Sequence, residues 1–255
     1  ESINFNCSKS LMEIAFIITS LMISVLLGGV IVAFLEKKDK QNIIKILLAF
    51  SGGFLLSIAF IHFVPELYEH SSHNIGIYIL LGFLIQLILE FFSGGIEHGH
   101  VHHHGKGKIP WAIMISLGVH SFLEGIPLAA PFVGHEIATS HSHSGDQTLL
   151  MGIIFHQLPV AIALMTLLFT AHLKKTTAWL LLLLFAVTTP AGVVFGYFSN
   201  SAFTGYDFNL ILAVVVGMFL HISTTIIFET SENHKFNFLK LVSIVLGFAI
   251  AIMIH

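Results

Sequence analysis

Apolar positions fall in eight long runs separated by short polar stretches. They cover about residues 11–35, 43–64, 75–93, 109–133, 149–171, 177–198, 208–228 and 238–255. Each run approaches the roughly 20 residues a helix needs to cross a ~30 Å hydrocarbon core. Inside lipid the backbone must satisfy its own hydrogen bonds, which makes each run a helix. The pattern therefore predicts an all-α polytopic membrane protein, a single transmembrane domain over residues 1–255 with eight spans. The first run has no small-residue cleavage site and is read as a retained helix rather than a signal peptide.

The polar stretches alternate in a second way. All 11 basic residues are lysines, and Lys37, Lys38, Lys40 and Lys45 flank the first loop. Lys106 and Lys108 lie in the third, Lys174 and Lys175 in the fifth, and Lys235 and Lys240 flank the seventh. Only Lys9 lies on the other side. Lysine collects on the cytoplasmic face of a membrane protein. The loops after odd-numbered spans are thus cytoplasmic, and both termini face away from the cytoplasm. The expected location is an integral, multi-pass position in a plasma or inner membrane.

Composition adds one signal. Apolar residues make up 55% of the chain and charged residues 10%, which leaves nothing for a separate soluble domain. The net charge of −3 says little, and no nucleic-acid partner is expected. The 17 histidines are many for this length and lean toward metal handling. Residues 97–108 read EHGHVHHHGKGK, so the cytoplasmic loop 94–108 carries His98, His100, His102, His103 and His104. That spacing is too dense for a closed zinc site and reads as a low-affinity metal-binding tract. The external fourth loop adds His135, Glu136, His141, His143 and Asp146.

The fourth span contains costly groups at mid-membrane. Residues 116–130 read SLGVHSFLEGIPLAA, with His120 and Glu124 one helical turn apart on one face. A carboxylate at the bilayer centre costs about 2.5–3.5 kcal/mol on insertion scales, so it needs a partner. Imidazole nitrogen and carboxylate oxygen are zinc ligands, usually in fourfold coordination. His156 of the fifth span supplies a third ligand at the same depth, and Gln157, Ser121 or water completes the shell. A lone membrane histidine more often bonds a neighbouring helix, so the shared stripe carries the argument. Pro127 and Pro159 each follow a candidate ligand by three residues and free the carbonyls of Leu123 and Phe155 beside the ion. Other polar groups mark the ends of an ion path: His62 and Glu66 outside, Glu90, His221 and Glu229 toward the cytoplasm. There is also a faint internal echo. Gly53-Phe-Leu-Leu-Ser57 resembles Gly217-Met-Phe-Leu-His221 in a span of opposite direction, as an inverted repeat would.

These residues resemble the ZIP (Zrt/Irt-like) family of divalent metal transporters over nearly the whole chain. His120-Ser-Phe-Leu-Glu124-Gly125 is similar to that family's fourth-span signature. Ser51-Gly-Gly-Phe and His62-Phe-Val-Pro65-Glu66 resemble its second span, and Thr189-Pro190-Ala-Gly192 its sixth. The resemblance implies a 3+2+3 arrangement, with spans 1–3 and 6–8 as inverted repeats and spans 4 and 5 central. It implies import of zinc, or of iron, manganese or cadmium, as transported ion by alternating access. In it, spans 1, 4, 5 and 6 move against spans 2, 3, 7 and 8. It also implies a homodimer in the lipid bilayer. Many members carry a Glu four residues after the fifth-span His, where this chain has Val160. That departure favours one ion over a two-metal centre.

The expected activity is thus transport of a divalent ion between spans 4 and 5, weakening toward about pH 5 as protons compete for imidazole. Histidine favours zinc over magnesium or calcium. The rival reading is a membrane-embedded zinc-dependent hydrolase, which lacks a second carboxylate at that depth to act as base. A metal-gated receptor would bind without flux.

Overall fold

The apolar runs fold as helices, and their ends follow the glycines, prolines and lysines that bound them. The computed structural model describes residues 2–34, 37–70, 74–94, 108–133, 145–202, 207–229 and 238–254. Helix α1 is Ser2–Phe34. The second span is α2 (Lys37–Ile58), a π-helical turn (Ala59–Phe63) and α3 (Val64–His70). Then come α4 (Ile75–Ser93), α5 (Trp111–Gly125) with a 3₁₀ extension (Ile126–Val133), α6 (Gly145–Thr170), α7 (Lys175–Ala202), α8 (Phe208–Glu229) and α9 (Phe238–Met253). Seven of the eight apolar segments are long enough to cross a membrane. The 16-residue α9 is shorter, at about 24 Å. The His-rich loop (His98, His100, His102, His103, His104) and the histidines of the fourth loop lie outside the described residues.

Two prolines set local irregularities. Pro65 has no N–H to return to Ile61, and the ladder slips to an i→i−5 bond from Val64 N–H to the Ala59 carbonyl. His62 sits in that π turn. In α5, Pro127 cannot bond the Leu123 carbonyl, so the N–H of Ile126 takes it instead and the helix tightens into 3₁₀. The expectation of a freed Leu123 carbonyl is therefore corrected: a three-residue bond satisfies it. By contrast α6 runs as α-helix straight through Pro159.

Two sets of helices pack closely, and α2 on α6 and α4 on α5 join them. In the first, α1 packs on α6 and α7, and α5 packs on α7; in the second, α2 packs on α9 and α8, and α4 packs on α8. Three crossings within the groups are made reciprocally by backbone against glycine. A Cβ on Gly82 would lie 1.8 Å from the Val214 carbonyl, and one on Gly217 1.9 Å from the Ile79 carbonyl. The same reciprocal pattern joins Gly53 to Ile244 and Gly247 to Phe50 across α2 and α9. It recurs in Gly125 to Thr189 and Gly192 to Phe122 across α5 and α7. In every case the carbonyl belongs to the residue three before the partner glycine. Such close approach replaces the hydrophobic drive that lipid removes, through van der Waals contact and Cα–H···O bonds.

Contacts between the groups use side chains. Phe155 of α6 stands edge-on to Phe50 and Phe54 of α2, with ring centroids 5.6 and 5.1 Å away. The Ser116 hydroxyl of α5 donates to the Leu89 carbonyl of α4. The outer faces of the bundle are apolar: Leu80, Leu84, Leu87 and Phe91 of α4 and Leu180, Leu184 and Phe198 of α7 are exposed.

Candidate metal centre

Three titratable side chains meet where α5 and α6 face α4 and α2. His120 and Glu124 lie one turn apart on α5, and His156 comes from the middle of α6. One ligand atom from each lies within 4.8 Å of the others, and all three residues are buried. His120 Nε2 is 3.0 Å from Glu124 Oε1. The two imidazoles stand edge to face, with centroids 5.7 Å apart and an interplanar angle of 81°. Ligand atoms about 2.1 Å from one tetrahedral ion sit about 3.4 Å from each other. The His120–Glu124 pair already has nearly that spacing.

The electrostatics suit a cation. Glu124 is fully buried, and neither of its carboxylate oxygens accepts a hydrogen bond. An ionised carboxylate left so in a low-dielectric interior is strongly disfavoured. A divalent ion between the carboxylate and two imidazoles would satisfy all of these groups at once.

The flanking candidates have separate situations. The Ser121 hydroxyl is buried and has no hydrogen-bond partner among the described residues. Gln157 donates its amide to the Thr189 hydroxyl of α7, which leaves its buried carbonyl oxygen without a partner among the described residues. Val160 is buried in an apolar cluster with Ala161, Leu164 and Leu117 and offers no ligand. Glu90 and His221 are brought together: His221 Nε2 meets a Glu90 carboxylate oxygen across α4 and α8, and Phe83 stands edge-on to the imidazole at 4.6 Å. His62 and Glu66 are half-buried on the π turn and α3. Glu229 ends α8.

One residue of the site escaped the sequence reading. Gln86 of α4 is fully buried, and its Oε1 lies 2.9 Å from His120 Nδ1. The signal was available: Gln86 is a lone amide in the apolar run of residues 75–93, as costly there as the histidines that were noticed.

Comparison with known proteins gives the family. Over 57 residues the chain is 46% identical to an uncharacterized protein, MJ1036, of Methanocaldococcus jannaschii, covering 22% of this chain and 23% of that one. Over 83 residues it is 30% identical to a Mus musculus protein named Zinc transporter SLC39A7, covering 25% of this chain and 17% of that one. The matched segments thus span about a quarter or less of either relative. The family profile described as ZIP Zinc transporter matches residues 11–110 and 95–255, nearly the entire chain. With that match over nearly all of an all-helical chain, the protein belongs to the ZIP zinc transporter family.

Proposed function

We propose that the protein carries divalent transition-metal ions, zinc first, across a membrane into the cytoplasm, one ion at a time, through the cluster of His120, Glu124 and His156. The observation that carries this reading is the Glu124 carboxylate, fully buried, accepting no hydrogen bond, and set against two imidazoles. Family membership supports metal transport, and zinc is the metal in the mouse relative's name. Iron, manganese and cadmium are the other ions these ligands accommodate. Ser121 and the Gln157 carbonyl are secondary ligands, with water completing the shell. Val160 supports a single ion, because an apolar side chain stands where a bridging carboxylate would hold a second.

The reading extends to a path. Glu66 and His62 receive the ion outside. Glu90 lies one turn beyond Gln86 toward the cytoplasmic end of α4, about 6 Å along the axis. With His221 and then Glu229, it leads the ion out toward the His-rich loop. Alternating access moves α1, α5, α6 and α7 against α2, α4, α8 and α9. The support for this division is that the three reciprocal glycine–carbonyl crossings all lie within the groups. The 3+2+3 arrangement with inverted repeats is supported by the matching glycine pairs. Exchanging Gly53 for Gly217 and Gly247 for Gly82 maps the α2–α9 crossing onto α8–α4, carbonyl for carbonyl. The exposed apolar faces of α4 and α7 suit lipid.

Zinc uptake into proteoliposomes tests the reading. Wild type takes up zinc, and Glu124→Ala reduces the rate to that of empty vesicles. Equal rates for the two proteins contradict the assignment. The cluster of described residues contains no carboxylate besides Glu124, which leaves the hydrolase alternative without a separate base.

A further inference from the structure

We infer that Gln86 is a positioning residue of the metal centre, reaching it from the opposite helix group. This deepens the transport reading and rests on it. Gln86 is the amide of α4 whose Oε1 lies 2.9 Å from His120 Nδ1. A carbonyl oxygen only accepts, so Nδ1 carries the hydrogen of that bond. The lone pair of His120 is thereby placed on Nε2, the ring atom 3.0 Å from Glu124 Oε1. An imidazole that ligates through one nitrogen is generally held by a bond from the other, which fixes both tautomer and ring plane. Gln86 is fully buried.

The bond also crosses a boundary. His120 belongs to the α1, α5, α6, α7 group; Gln86 belongs to α4, which is fixed to α8 by the reciprocal contacts of Gly82 and Gly217. A shift of about one helical turn between the groups carries Gln86 out of hydrogen-bond range. His120 is then held for metal in the arrangement seen here and released when the groups slide. Tight and weak binding are in this way tied to the two positions of the bundle, as alternating access requires. Ser116 and Leu89, one turn earlier on α5 and one turn later on α4, accompany this contact with a hydroxyl-to-carbonyl bond.

The test is zinc affinity measured by competition with a chromophoric chelator on detergent-purified protein. It reads the site that Glu124→Ala removes, which separates it from the loop histidines. Gln86→Leu keeps the side chain's size and loses the acceptor. The expected result is a dissociation constant raised at least about tenfold, the usual effect of losing the partner of a ligating histidine. Metal-free thermal stability should not fall. Gln86→Glu restores the acceptor and returns affinity to wild type or better. Unchanged affinity in Gln86→Leu overturns the inference. So does a loss in Gln86→Leu that Gln86→Glu does not restore, and so does the absence of any site removed by Glu124→Ala. Failure of wild-type uptake in proteoliposomes would instead overturn the transport reading, and the chelator titration would still decide the role of Gln86.

Discussion

Glu124 is a residue kept for its charge at the expense of stability. Without metal, its carboxylate is buried with no hydrogen bond to either oxygen, so removing the charge should help the fold. Glu124→Gln is expected to melt higher than wild type in chelator. Zinc at about 100 times the dissociation constant stabilises wild type by about 2.7 kcal/mol. The same addition leaves Glu124→Gln nearly unmoved, and differential scanning fluorimetry reads both effects. A variant less stable than wild type in chelator, with an intact zinc response, would remove Glu124 from the site. At this scale much was legible in the chain. His120 and Glu124 announced themselves by their cost in an apolar run and their helical spacing, and His156 by its depth. Gln86 is as costly there as a histidine, but only a three-dimensional neighbour shows what a lone amide is for. The Leu123 carbonyl was misjudged for a related reason. A missing proline N–H was visible, but not the 3₁₀ bond from Ile126 that replaces it.

The helices owe their crossings to glycines whose partners lie far away in the chain. Gly217→Ala places a methyl 1.9 Å from the Ile79 carbonyl, so α4 and α8 must separate. The loss of folded protein should be large, a melting point lower by several degrees or no recovery from the membrane. Gly118→Ala is the matched control on α5. Its Cβ meets nothing nearer than Thr188 Cγ2 at 3.6 Å, and alanine is the better helix former by about 1 kcal/mol. Melting curves in detergent should show Gly118→Ala at or above wild type. Similar losses for both would refute the packing account. The apolar runs announced helices, because lipid forces that choice. The pairing of helices was not readable, since every span is similarly apolar. Only the echo of Gly53 and Gly217 hinted at it. The π turn at Ala59–Phe63 was equally hidden, although its cause, Pro65, stood in plain view.

At the scale of the molecule, the proposed transport cycle requires the two helix groups to slide against each other. Cys7 is the sole native cysteine, so engineered pairs report cleanly once it is replaced. Cross-linking Leu89→Cys to Ser116→Cys joins α4 to α5 at the hydroxyl-to-carbonyl contact between the groups. The cross-link should stop zinc uptake, and reductant should restore it. Uptake that persists with complete cross-linking would mean that these groups do not move against each other. All of this depends on an ion between α5 and α6, and anomalous scattering at the zinc edge from zinc-soaked crystals locates that ion directly. Within the helical bundle the account predicts one peak, bounded by His120 Nε2, the Glu124 carboxylate and His156. Two peaks there, or none, would contradict it.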